Sequence, residues 1–258
     1  MIPDLFKGKP TSIISTMWKY FVIALLLVLT RPELTHAQQG KPLADIPGSS
    51  AGVTIQSVDF RFNGTVPSEV AFRFDGLAYG VFYSREPIQM VFIRGQQAIG
   101  PKDDLVLTDF TLNGWTAFRP FKEKKDGGLI PFIPMGLESN YRRIKRTQGS
   151  VEVDAFEYTV IAAGAGLGLE IPLAKGRLVS KGMGYYGIAS RSFSYDTDTS
   201  AILEGSIVWS STRFINRFGV EVGYNYRWQK WYSDLGRISG SSYDFVGSHH
   251  AIQIGLSF

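Results

Sequence analysis

Apolar and polar positions alternate with a period of two from about residue 52 onward, and this alternation, not helical spacing, is the dominant signal in the chain. The clearest stretch is 218–229. Phe218, Val220, Val222, Tyr224, Tyr226 and Trp228 take one phase, and Gly219, Glu221, Gly223, Asn225, Arg227 and Gln229 take the other. Neighbouring residues of a strand point to opposite faces, so one face here is apolar or aromatic and the other is polar or very small. The same pattern, less regular, runs through 77–84, 135–142, 155–162 and 201–212. It predicts strands over 52–63, 69–84, 87–95, 104–118, 128–144, 154–171, 178–193, 200–213, 217–231 and 244–258. That makes ten strands, or eight if the first two form a lead-in or an accessory hairpin.

The rings are not spread evenly along the apolar stripe. Tyr224, Tyr226 and Trp228 crowd toward one end, with Phe218, Val220 and Val222 below them. Amphipathic rings favour a membrane–water interface and aliphatic side chains favour hydrocarbon, so the stripe reads as a lipid-facing surface. Counted back from the C-terminus, the connections at 214–217, 174–177 and 85–87 fall on one side and are short. Those at 232–243, 194–199, 145–153 and 96–103 fall on the other and are longer, with 119–127 the exception. Short turns on one side and long loops on the other are the habit of membrane barrels. The expected fold is all-β: a closed, up-and-down, antiparallel transmembrane β-barrel of ten strands, with eight as the alternative.

The first residues read differently. Lys7, Lys9 and Lys19 precede an eleven-residue apolar run, 20–30, and Thr35 and Ala37 place small residues before Gln38. This is the layout of a cleavable export signal over 1–37. The run is too short for the ~20 residues of a spanning helix, and Arg31-Pro32 ends it. Residues 38–51 read as a flexible lead-in, leaving 52–258 as the barrel domain. Composition fits: 28 of 258 residues are Gly and none is Cys, which excludes a disulfide scaffold, Cys-ligated metal sites and a cysteine nucleophile. Without 1–37 the chain has 23 basic and 21 acidic residues, a balance that gives no reason to expect a nucleic-acid partner.

The chain closes on Ala251-Ile-Gln-Ile-Gly-Leu-Ser-Phe258, in which Ile252, Ile254, Leu256 and Phe258 share one face. This resembles the final strand of bacterial outer-membrane β-barrel proteins. In that family a terminal aromatic with apolar residues at alternate positions is read by the barrel-assembly machinery. The resemblance covers about 52–258 and is architectural. It implies a location in the bacterial outer membrane, contact with its lipid, and engagement of the assembly machinery during biogenesis. It implies no particular activity, because small members of the class include adhesion-like, structural, narrow-pore and enzymatic barrels.

Candidate chemistry is sparse. Gly164-Ala-Gly-Leu-Gly168 lacks the third glycine and the following helix of a dinucleotide-binding turn; its apolar phase slips near Gly164, which predicts a bulge. His249 and His250 are adjacent in a strand and cannot hold one metal together; His249 shares the inner face. No serine or carboxylate partner for a histidine base is identifiable by spacing. Asp109, Glu138, Arg142, Glu157, Glu204, Glu221, Asn225 and Arg227 fall on the presumed inner face, joined by Asp59 and Arg61 if 52–63 belongs to the barrel. A barrel of eight to ten strands is wide enough only for its own side chains or one small ligand, so these residues are expected to form a paired polar network filling the lumen. No catalytic residue, metal site or cofactor is assigned. Residues 232–243, rich in Ser, Gly and Tyr, form the best surface for a partner. The expected function is non-enzymatic, through surface loops or envelope integrity. A narrow channel or carrier of a small apolar molecule, and a membrane enzyme acting on lipid or peptide, are the alternatives.

Overall fold

The computed structural model describes residues 48–64, 72–120, 128–191, 197–211, 218–232 and 244–258. They form ten strands: β1 (Ser49–Phe62), β2 (Arg73–Arg85), β3 (Ile88–Gly100), β4 (Asp103–Phe118), β5 (Ile130–Gln148), β6 (Val151–Leu173), β7 (Gly176–Arg191), β8 (Thr197–Ser211), β9 (Gly219–Tyr232) and β10 (Phe245–Ser257). Each pairs antiparallel with its neighbour in sequence, and β1 pairs with β10 to close the barrel. The closing seam runs from Ser50 opposite Ser257 to Phe62 opposite Phe245. The first two strands are full members of the wall, so the barrel has ten strands and not eight. β1 opens at Ser49, which takes Ser49, Ser50 and Ala51 out of the expected lead-in. The expected export signal, most of the connection at 119–127 and all but the first residue of the expected partner surface at 232–243 lie outside the described residues.

Exposure settles which face of the wall looks outward. Tyr79, Leu203 and Ile254 are 57%, 56% and 54% exposed, while Glu138 and Arg227 are 1% and 4% exposed. On β9, Val222, Tyr224 and Tyr226 face out, and Gly223, Arg227 and Gln229 face in. Between β9 and β10, Tyr224 and His250 meet on the outer surface, Tyr Oη to His Nδ1 at 2.6 Å, and the His250 ring lies 4.9 Å from that of Tyr226.

Toward the end of the barrel opposite the chain termini the apolar stripe changes sides. On β1, Val53 and Ile55 point out, but Val58 and Phe60 point in, with Arg61 exposed outside. On β2, Leu77, Tyr79 and Val81 point out and Phe74 points in. On β10, Ile252, Ile254 and Leu256 point out and Phe245 points in. The registers of β1 with β2 and with β10 are unbroken through the change. β6 behaves likewise, with Phe156, Tyr158 and Val160 inside and Leu167 outside, and its register with β7 is continuous. The phase slip near Gly164 is therefore a change in what the two faces touch, not a bulge. The irregularity in β6 lies elsewhere, at Ala155, the extra residue between the pairs Ile144–Phe156 and Lys145–Asp154.

The connections at 96–103 and 145–153 are not long loops. β3 and β4 are joined through Pro101 and Lys102, and β5 and β6 through Gly149 and Ser150. Gly149 has φ 63°, a left-handed conformation that glycine adopts without steric cost. The polar composition of these segments belongs to strands continuing into water. β5 and β6 have 19 and 23 residues, against the ~9–11 that span a bilayer. Their outer extension carries Arg143 paired with Asp154 (2.8 Å) and Lys145 with Glu152 (2.8 Å), and at the rim Arg146 meets Asp103 (2.6 Å).

Two predictions follow from these placements. Ile254→Arg puts a charge in the lipid-facing belt and is expected to cost about 2–4 kcal/mol if its site is near the bilayer midplane, read by equilibrium unfolding from lipid vesicles. In the outer extension, hydrogen bonds from Arg146, Lys145 and Arg143 hold the carboxyls of Asp103, Glu152 and Asp154 below their ordinary values. Groups with depressed pKa stabilise the fold above the ordinary carboxylate range, and that contribution is lost as pH falls through their folded-state values. Amide exchange in 143–154, corrected for its intrinsic pH dependence, should accelerate on acidification below the ordinary carboxylate range. The Arg143→Gln variant should lose part of that response.

Candidate functional site

The lumen has two storeys. The one nearer the chain termini is polar. Period-two alternation places Asp109 and Thr111 of β4, Glu138, Asn140 and Arg142 of β5, Glu204 of β8, and Arg227 and Gln229 of β9 on the inner face. Arg142 Nε donates to Asp109 Oδ2, and Asp109 Oδ1 accepts from Asn140 Nδ2 (3.0 Å) and Thr111 Oγ1 (3.1 Å). Across the barrel, both terminal nitrogens of Arg227 donate to the two oxygens of Glu138. Gln229 Oε1 accepts from the same guanidinium at 3.0 Å, and Gln229 Nε2 donates to Ser200 Oγ at 3.1 Å. Glu204 lies 3.7 Å from Arg227 Nη1.

The upper storey is a packed aromatic plug. Phe60 lies at its centre, 4.6 Å from Phe156, 5.4 Å from Trp231 and 5.7 Å from Phe245 between ring centroids. Leu105, Leu107 and Ile144 complete it and are fully buried. The Arg142 guanidinium lies over the Trp231 ring at 5.2 Å and joins the two storeys. At the plug's edge Tyr158 Oη donates to Asp198 (2.7 Å) and accepts from Arg191 (2.8 Å).

Of the eight residues expected to form the polar lining, Asp109 and Arg142 join in one cluster, and Glu138, Glu204 and Arg227 in a second. Asn225 lines a cavity beside them. Glu221 sits closer to the terminal end, against Ser210. Glu157 does not belong. It faces outward, where it accepts a hydrogen bond from Tyr141 Oη at 2.8 Å. Phe156 and Tyr158 hold the inner positions on either side of it, because this part of β6 lies above the change of phase. Asp59 and Arg61 are outside for the same reason, and Asp59 pairs with Arg73 of β2. The plug is what alternation alone missed. Its signal is an inner phase of Phe and Leu wherever the opposite phase becomes charged.

His249 faces in and His250 faces out. His249 Nδ1 stands 3.5 Å from Arg142 Nη2. No hydrogen bond joins His249 to a hydroxyl or a carboxylate among the described contacts, so a nucleophile–base pair is not assembled. No group of three or more His, Asp or Glu among the described residues could hold a metal ion. The cavity is small, about 50 Å³, and is bounded by Gln56, Asn113, Glu204, Asn225, Arg227 and Gln253 among others. Ile252, Ile254, Leu256 and Phe258, the residues of the expected assembly signal, all face outward, and the Phe258 amide is tied to Ser49 O at 2.8 Å.

Removing one partner of a buried pair leaves an uncompensated charge. Glu138→Ala is therefore expected to destabilise the folded barrel by about 3–5 kcal/mol, whereas the double replacement Glu138→Leu/Arg227→Met should recover most of that loss. Denaturant titration of both proteins in the same lipid checks it.

No protein-family model matches the sequence, and no curated protein matches it. Among solved structures the chain is similar to the outer membrane protease OmpT of Escherichia coli, at 10% identity and a TM-score of 0.41, over 81% of this chain and 96% of that one. It is similar to the translocator domain of the autotransporter NalP of Neisseria meningitidis, at 8% identity and a TM-score of 0.35, over 93% and 97%. It is also similar to the attachment invasion locus protein Ail of Yersinia pestis, at 12% identity and a TM-score of 0.23, over 81% and 99%. No residue role passes from any of them to this chain. The closed wall, apolar exterior and polar interior are the architecture of an outer-membrane β-barrel.

Proposed function

We propose that this chain is an integral protein of the bacterial outer membrane whose barrel is a solid, non-conducting, non-catalytic scaffold. It serves envelope integrity or presents its surface connections, 232–243 foremost, to a partner. Residues 1–37 direct export, and the C-terminal stripe ending in Phe258 is read by the assembly machinery. The observation that carries the reading is the plugged lumen. Phe60, Phe156, Trp231 and Phe245 fill the upper cross-section, and in the section below the buried Arg227–Glu138 pair crosses from β9 to β5 beside the Arg142–Asp109 pair of neighbouring strands. A ten-stranded wall encloses little more than its own side chains, and here they are large ones.

The channel reading needs a continuous passage, and the plug stands across it. The enzymatic reading needs an accessible base next to a nucleophile, and His249 is buried against Arg142.

Purified protein in planar bilayers should show no stable conductance at high salt. The Phe60→Ala/Phe156→Ala/Phe245→Ala protein, which empties the plug, should show frequent channel openings. Large, steady conductance from the unaltered protein would overturn the proposal.

A further inference from the structure

Beyond the membrane the wall continues as a sheet of β3, β4, β5 and β6, and the two edges of that sheet differ. On the β3 side the ladder with β2 ends at Gly95, and Gln97 Oε1 then takes the Asp75 amide at 2.7 Å. The β6 side has no such cover. β6 pairs with β5 from Val151 onward, but its ladder with β7 begins only at Tyr158, opposite Arg191. Among the described residues no other backbone hydrogen bond reaches 151–157. Only five residues separate Arg191 from Thr197, too few to climb this edge to Val151 and return. The outer part of β6 therefore offers a row of backbone donors and acceptors on the side away from β5, the feature of an edge strand that invites another chain.

The two faces beside this edge are opposite in character. Val153 stands opposite Arg146, and Arg146 opposite the buried Leu105, so Val153 and Val151 continue the inner apolar phase past the plug. They are 53% and 60% exposed. The extra residue Ala155 shifts the phase, and Asp154 and Glu152 fall with Glu157 on the outer face. Three carboxylates thus flank the edge, and two cations reach them from β5, Arg143 on Asp154 and Lys145 on Glu152. Glu157 takes the Tyr141 hydroxyl and no ion pair among the described residues. Lys145 meets one oxygen of Glu152, whose side chain is 61% exposed.

We propose that the free edge of β6, from Val151 to Glu157, takes an extended segment of a partner polypeptide as an added strand, one that alternates Lys or Arg with aliphatic residues. Main-chain hydrogen bonds to the edge supply affinity, and alternate side chains supply selectivity. The aliphatic residues cover Val151 and Val153, and the cations lie beside Glu152 and Glu157. A second copy of this chain does not suit the edge. In any antiparallel register that keeps the valines on one face, its own Glu152 or Asp154 stands directly against those of the first, and like charges so placed repel. The proposal rests on the reading of this end as the surface of an outer-membrane scaffold, but not on the plug. A conducting barrel would leave the edge intact.

The test uses the full chain in neutral detergent and three end-blocked heptapeptides: one alternating Lys and Val, one alternating Glu and Val, and the Lys–Val peptide N-methylated throughout. In the free protein the amides of 151–154 directed away from β5 should exchange rapidly. The Lys–Val peptide should slow exchange within 151–157. The Glu–Val peptide should not, nor should the N-methylated one, which keeps its charge but has no donor for the edge. Glu152→Gln/Glu157→Gln should weaken Lys–Val binding several-fold, up to about tenfold at low ionic strength. Slow exchange of all 151–154 amides in the free protein would give the edge to the chain itself and overturn the proposal. Protection that grows with protein concentration without peptide would give it to a second copy, with the same result. Equal binding of the three peptides, or no protection by the Lys–Val peptide at millimolar concentration, would also overturn it. If the double variant fails to fold, the three peptides on the unaltered chain still decide.

Discussion

Hydrocarbon offers no hydrogen bonds to a peptide group, and the structure depends on that constraint first. A sheet crossing a membrane must leave no edge, so the pairing of β1 with β10 is the condition for every other strand to exist where it does. The seam runs nearly the full length of both strands. The shortest ladder is β2 with β3, which pairs only from Ala78–Gly95 to Arg85–Ile88. Beyond it, Gln97 Oε1 accepts the Asp75 amide at 2.7 Å, a side chain standing in for a backbone acceptor where the outer surface is already charged and wet.

Closure also fixes what the two faces must be, and the answer differs with height. Where lipid touches the outside, the outer face is apolar and the lumen carries the polar groups, which must then satisfy one another. Where water touches the outside, the same strands reverse, with ion pairs such as Arg143–Asp154 outward and Phe60, Phe74 and Leu105 inward. The upper part is in effect an ordinary water-soluble barrel with a hydrophobic core, stacked on a membrane barrel. Each storey has one apolar face, and so each has a driving force for assembly in its own surroundings.

Most of this was legible in the sequence wherever one medium governed a whole segment. On β9 the alternation from Phe218 to Gln229 identifies the inner and outer faces correctly, and it puts Arg227 inside. Residues 135–142 do the same for Glu138, Asn140 and Arg142. Alternation misleads where the medium changes within a strand. Phe156, Tyr158 and Val160 look like a lipid-facing stripe, which pushes Glu157 inward on paper, and the return of the stripe at Leu167 then looks like a bulge. The charged segments at 145–153 and 96–103 look like loops because strands in water carry polar residues on their outer face. The pairing of charges at a two-strand spacing, Lys145 with Glu152 and Arg143 with Asp154, is the mark that they are strands. Which inner residues meet across the lumen was not legible at all. Arg227 and Glu138 lie 89 residues apart on β9 and β5, and only the closed wall brings them together.

That cross-lumen pair does something the ladders cannot. Backbone hydrogen bonds join each strand to its two neighbours and leave opposite walls free to slide. A bidentate Arg227–Glu138 contact ties β9 to β5, and Arg142 joins β5 to Asp109 of β4 while stacking on Trp231 of β9. A buried ion pair is a weak source of stability, because removing two charges from water offsets most of their attraction. It is a strict source of geometry, because a wall shifted by one residue would turn Glu138 or Arg227 out into lipid, unpaired. A lumen packed only with Leu and Phe would be as stable and far more tolerant of such a shift. The polar storey therefore fits a role in fixing strand register, and the plug above it keeps water from screening the contacts that do so.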